Sequence, residues 1–389
     1  IGKGVKSEHA ITVKRNGQEQ TLYVNGNPRL AQAINGMLNP DTQDMSKVLK
    51  FAKSINRGMS ANFTSRNLEF AITNTMRDIH MAAMLSAIEE GLGYSTKLIK
   101  NIAICQRTLA SNLFGSGTKG KYQDYLNEYL ENGGQTGFVV LRTIENYNKD
   151  VEKLQRQINK KDALAVPKWI FKQIGDINNM AEQITRFATY VTSREAGRTP
   201  VRSAIDAKNI TLNFNQKGSG EMGAGWMQSL FLFFNPAMQA LYRANQARQK
   251  HPARFWTVMG LHGAAGAMIP ALTFVMMALI AGDDDDELEK YKQAYWNTPE
   301  WIRRNNLMIW IPGTTSFVKY PLGQELRWAY SIGEIGMTKA MGQEKYGSSI
   351  GKQALESVSA LLPVDILGAS HWYIPGFVAP VYESKINEN

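Results

Sequence analysis

Residues 255–282 read FWTVMGLHGAAGAMIPALTFVMMALIAG, 28 positions without one Asp, Glu, Lys or Arg. As a helix the run would be about 42 Å long at roughly 1.5 Å per residue. A hydrocarbon core of about 30 Å is crossed by about 20 apolar residues. Gly260, Gly263 and Gly266, with Ala264, Ala265 and Ala267, give the run a small-residue side suited to close helix contact. His262 and Pro270 detract from it as a lipid span. Arg243, Arg248, Lys250 and Arg254 flank one end and Asp283 to Asp286 the other, so an inserted helix would keep its basic end in the cytoplasm. A central helix buried all round explains the run equally well, as does a segment buried in one state and inserted in another. The sequence leaves all three open. The residues nominated for a membrane or partner helix are Phe255, Trp256, Gly260, Gly263, Gly266, Pro270, Phe274 and Met277.

Working outward, helical spacing dominates. Ile144, Tyr147, Val151, Leu154 and Ile158 form a narrow apolar seam. Beyond Pro167 a second seam runs through Ile170, Ile174, Ile177, Ala181, Ile184, Ala188 and Val191, and the two predict an antiparallel helical hairpin over about 138–195. Nearer the N-terminus, Val48, Phe51 and Ile55 give a face interrupted at Asn62-Phe63-Thr64. Leu68, Ala71, Ile72, Met76 and Ile79 resume it, and a further helix is expected from Thr96 past Ala110. A short Tyr-rich helix should end near Gly133-Gly134. His9 to Val13 and Thr21 to Val24 favour strands, and Asn16-Gly17 between them signals a β-hairpin. Short strands should follow residue 305, with a helix near 324–341. The expected fold is mainly α: an irregular helical bundle with one long helical hairpin, a small N-terminal β-hairpin and short late strands. The expected domains are a lead-in at 1–30, a helical domain at 31–220 and an apolar-helix-rich domain at 221–389.

The 389 residues suffice for a buried core, and a 43% hydrophobic, 20% charged composition excludes wholesale disorder. One cysteine, Cys105, allows no internal disulfide and no cysteine-rich metal site. The chain opens at Ile1 without a signal pattern and is expected to be part of a larger polypeptide. Its net charge of +10 favours phosphates, in nucleic acid or lipid headgroups, although no block of five consecutive basic residues occurs. Arg186, Arg194, Arg198, Arg202, Lys208 and Lys217 cluster near the end of the second seam. Of these, Arg194, Arg198, Arg202, Lys208 and Lys217 are the candidate phosphate contacts, against a reading in which they complement a helix terminus.

Readable catalytic chemistry is lacking. Gly115-Ser116-Gly117-Thr118-Lys119-Gly120-Lys121-Tyr122 approaches a phosphate-binding loop, but Tyr122 stands where magnesium needs a hydroxyl residue and a helix, not a strand, is expected before it. Asp283 to Glu287 lacks the alternating ligand spacing of a calcium loop. His9, His80, His251, His262 and His371 show no metal-ligand spacing and no nucleophile motif. No cofactor, metal or small-molecule substrate is expected.

The segment 207–218 (AKNITLNFNQKG), the Leu230 to Asn235 stretch, the basic helix 243–254, the uncharged run, the acidic linker and Pro299-Glu300-Trp301-Ile302-Arg303-Arg304-Asn305-Asn306 occur in that order. Ile309 to Gly313 and Val318 to Gly323 follow, and Ala61 to Leu68 and Met76-Arg77-Asp78 precede. Taken together, from about residue 10 to 365, they resemble a large polyvalent protein-associated domain region of phages and conjugative elements. Tyr320 departs from the apolar residue expected before Pro321. The resemblance implies a segment of a multi-domain protein carried with incoming DNA, and it supplies no catalytic residue. The expected function is a non-enzymatic structural or delivery segment of a virion-internal protein. Its expected partners are sister copies or other virion proteins and a host membrane, and its expected path runs from the virion interior into the host envelope or cytoplasm. The alternative is a nucleic-acid-binding accessory domain that protects or organises transferred DNA.

Overall fold

The computed structural model describes residues 10–15, 18–23, 68–114, 121–134, 152–153, 155–156, 165–211, 234–323 and 326–343. The fold is mainly α. Two compact units are present: one comprises Ile1–Thr75, Gly93–Pro236 and Ile374–Asn389, the other Met76–Leu92 and Ala237–Tyr373.

In the first unit, β1 (Ala10–Arg15) and β2 (Gln18–Tyr23) pair antiparallel, with Arg15 opposite Gln18, while the expected turn residues Asn16-Gly17 lie outside the described residues. Helix α1 (Leu68–Glu89) starts in this unit and ends in the second. Gly91, at φ +105°, takes the left-handed conformation that stops it. Helix α2 (Leu92–Phe114) therefore begins four residues before the expected Thr96. The Tyr-rich helix is α3 (Gln123–Glu131). Helix α4 (Ala165–Glu195) carries the second seam, with Pro167 tolerated in its first turn and Ala181, Ile184, Ala188 and Val191 buried. The seam residues of the expected first arm, Ile144, Tyr147, Val151, Leu154 and Ile158, lie outside the described residues. Thr199 caps α5 (Pro200–Ile210) by accepting from the Arg202 N–H, and Pro200 occupies the first turn.

Polar groups stitch this unit together. The Asn101 amide donates to Thr192 Oγ1 (3.0 Å) and Glu195 Oε2 (2.9 Å), while the Tyr122 hydroxyl donates to Asn101 Oδ1 (3.0 Å) and Glu195 Oε1 (2.9 Å). Tyr129 donates to Gln183 Oε1 at 2.6 Å. Arg186, fully buried, pairs with Glu182 at 2.7 Å and donates to Thr211 Oγ1 at 2.8 Å. A charge removed from water to this degree is tolerable only with such partners.

The second unit is built on α6 (Phe234–Lys250), α7 (Pro252–Ala281) and α8 (Asp285–Trp296). It continues through α9 (Glu300–Asn305), the antiparallel pair β3 (Asn306–Trp310) and β4 (Phe317–Pro321), and α10 (Arg327–Ala340). His251-Pro252 separates α6 from α7, so the basic stretch 243–254 is shared between two helices rather than forming one. Two apolar clusters hold the unit. Met81, Leu85 and Ile88 of α1 meet Phe255, Val258 and Met259 of α7 and Ala329 of α10. Phe274, Met277 and Ala281 meet Tyr291 and Tyr295 of α8 and Met308 and Trp310 of β3.

Candidate functional site

The uncharged run is a single helix, α7, with two unlike sides. Phe255, Val258, Met259, Gly266, Pro270, Thr273, Phe274, Met277 and Ala281 are packed inward. Trp256, Leu261, Met268, Leu272, Val275, Met276, Leu279 and Ile280 face outward, with Leu279 77% exposed and none of the eight below 47%. At 100° per residue, Leu261, Met268, Leu272 and Leu279 fall within about 20° of one line along the helix. Over its most apolar 18 residues the mean hydropathy is 2.1, and 33% of that window is buried. Among the described residues nothing covers the other side of the helix. Soluble monomers rarely leave so continuous an apolar stripe uncovered.

The inward side is set by glycine. A Cβ on Gly266 would lie 2.1 Å from the Tyr330 carbonyl oxygen, and one on Gly333 would lie 1.8 Å from the Gly263 carbonyl oxygen. A Cβ on Gly263 itself would meet the Ala329 oxygen at 3.2 Å. Helices α7 and α10 thus cross with backbone against backbone, the close approach that small residues permit. Of the nominated residues, Phe255, Gly263, Gly266, Pro270, Phe274 and Met277 serve this inner side, and Trp256 and Gly260 face outward. The outward Leu261, Met268, Leu272, Val275, Met276, Leu279 and Ile280 were not singled out. With both sides apolar, periodicity carries no signal here. The glycine spacing does, since it marks the packed side and leaves the opposite one to solvent.

Charge brackets the stripe. Arg248 and Lys250 are exposed before it, and Arg254 donates to the Ile88 (3.3 Å) and Glu89 (2.8 Å) carbonyls that end α1. Asp283 to Glu287 are exposed after it, where the Asp284 carboxylate accepts from the Glu287 N–H and caps α8. Among the described residues, no group of three or more His, Cys, Asp or Glu is placed to hold a metal ion.

Three of the five candidate phosphate contacts pair with carboxylates of the same unit. Arg194 pairs with Glu128 at 2.9 Å and also donates to the Arg198 carbonyl. Arg198 (2.7 Å) and Arg202 (3.1 Å) share the carboxylate of Asp206, which also accepts from Ser193. Lys208 is exposed on α5, and Lys217 lies outside the described residues. A phosphate would compete with Glu128 or Asp206 for these arginines, although two arginines share Asp206 and the group keeps one positive charge in excess.

The Trp-Arg-Asn motif resolves into a buried ionic knot. Arg303, 3% exposed, pairs through Nε with Glu334 Oε1 at 2.9 Å and donates to the Thr298 (2.7 Å) and Trp296 (3.3 Å) carbonyls. Its guanidinium lies over the Tyr295 and Trp296 rings. Arg304 reaches Glu334 Oε2 at 3.3 Å, and Thr338 donates to Oε1 at 2.9 Å. Helices α9 and α10, which flank the β3–β4 hairpin in sequence, are thus tied through one carboxylate. Residues 292–389 match the family model described as Large polyvalent protein associated domain 38. The match starts within α8 and covers both arginines, Glu334, β3, β4 and α10, so the polyvalent-protein resemblance is supported over this C-terminal part. The motifs at 61–68, 207–218 and 230–235 lie outside it. No curated protein and no solved structure matches the chain.

Proposed function

We propose that this chain is a non-enzymatic structural and delivery segment of a polyvalent protein, packed inside a phage-type particle and engaging the recipient membrane through the outer side of α7. One observation carries the reading: eight large apolar side chains stand exposed along the uncharged run of one helix. Burying a side chain of this size is worth roughly 1.5–3 kcal/mol, so hydrocarbon is a strong sink for the stripe. In the particle the same surface is covered by sister copies or neighbouring virion proteins. The polyvalent-domain match supports an origin in a protein that travels with transferred DNA. DNA protection receives less support, since Arg194, Arg198 and Arg202 already serve Glu128 and Asp206.

Flotation of the full chain with phospholipid vesicles tests the reading. The chain should rise with the vesicles, and the double variant Leu272→Glu, Leu279→Glu should stay at the bottom of the gradient while unfolding at an unchanged temperature. A wild-type chain that stays down, even after mild unfolding, would remove the membrane role.

A further inference from the structure

We infer that α7 meets lipid lying flat in a single leaflet, with its packed side still on α10, and does not thread the bilayer. The inference rests on the lipid engagement proposed above and specifies its geometry. Three observations carry it. First, the contacts of Gly263 and Gly266 with α10 are made by backbone atoms, so α7 cannot turn its inner side to lipid without dismantling the crossing. Second, α10 brings Glu334 and its arginine partners with it. A spanning α7 that kept α10 would carry this buried ionic knot into hydrocarbon, where ionisable side chains are strongly disfavoured. Third, α8 packs back on the C-terminal end of α7 and presents exposed Glu289 and Lys290, and Asp283 to Glu287 stand at the junction of the two helices. Threading α7 would take these carboxylates across the membrane, whereas in a flat pose they stay in water.

The occupant that fits is the headgroup–acyl boundary of a phospholipid leaflet. The stripe from Leu261 to Leu279 is about 27 Å long at 1.5 Å per residue and lies on one side only, as an interfacial helix requires. Exposed Arg248 and Lys250 close α6 just before α7 begins and supply cations for the lipid phosphates at that end.

Depth measurement decides between the poses. In a Cys105→Ser background, Leu261→Cys, Met268→Cys and Leu279→Cys are each made in the full chain and labelled with a nitroxide. Accessibility to oxygen and to a water-soluble nickel chelate is then read on vesicles of phosphatidylcholine and phosphatidylglycerol. The three positions share one line of the helix, so a flat helix places all three labels at the same shallow depth. A bound chain whose Met268 label lies much deeper than the other two overturns the flat pose and leaves lipid engagement standing. Failure to bind vesicles at all removes both.

Discussion

Glu334 answers to two arginines and a threonine while 1% exposed, which makes it the residue whose loss the second unit should feel most. Glu334→Leu would strand the Arg303 guanidinium without a counter-charge, and breaking a buried pair in this way costs about 3–5 kcal/mol. A fall of that size in urea-unfolding stability is expected, with Glu334→Gln falling less because the amide oxygen still accepts. His80 and His262 form a second buried pairing, with ring centroids 4.9 Å apart, and His80 Nδ1 accepts from the Gly323 N–H at 2.9 Å. Burial, with His262 alongside, pushes His80 down to about 3, and burial pushes His262 down to about 4. The unfolded chain takes up the same protons near about 6.5. The native state therefore binds fewer protons below that value, and the stability the neutral rings contribute is complete above it and declines as pH falls towards 3. Urea midpoints at pH 7.5 and 4.5 should differ more for the native chain than for His262→Gln; equal differences would refute the assignment. Neither pairing was legible in the sequence. Arg303 and Glu334 are 31 positions apart and the histidines far more, and nothing local in the spacing points from one partner to the other.

At the scale of elements, α7 and α10 depend on missing side chains. Gly333→Ala sets a methyl 1.8 Å from a backbone oxygen that cannot swing aside, so the helices must part. Overpacking of this kind costs about 1–3 kcal/mol. Gly336→Ala, on the same helix with nothing within 4 Å, should instead raise stability by about 0.5–1 kcal/mol, because alanine loses less backbone entropy in a helix. Thermal unfolding of the two variants should shift in opposite directions, and a shared direction would argue against the crossing. The elements themselves were largely readable. The paired strands β1 and β2, the Tyr-rich helix, the strands after residue 305 and the helix over the uncharged run all follow from local spacing and turn chemistry. What could not be read was which element covers the small-residue side of α7. That depends on Gly333, Ala329 and Tyr330, residues from a different helix.

The whole molecule combines a net charge of +10 with an uncovered apolar stripe, and these act in opposite senses on association. Without lipid, the stripe should draw copies together as salt screens the repulsion. Sedimentation velocity should therefore show self-association growing with ionic strength, and Leu272→Glu, Leu279→Glu should sediment as a monomer throughout. Association unaffected by that double change would place the contact elsewhere. Organisation at this scale was the least legible: Met76–Leu92 groups with Ala237–Tyr373, and a pass along the chain sees contiguous ranges only.

Because α7 has glycine contacts on one side near Gly263 and a broad apolar stripe on the other near Leu279, its inner and outer residues are locked in phase across more than four turns. Inserting one amino acid after Gly266 would rotate everything downstream by about 100°. Phe274 and Met277 would swing out of their cluster, and the C-terminal half of the stripe would leave the line that Leu261 begins. Exchanging one outward aliphatic residue for another would leave that alignment intact, so a change in the number of residues here is far more damaging than a change in their kind.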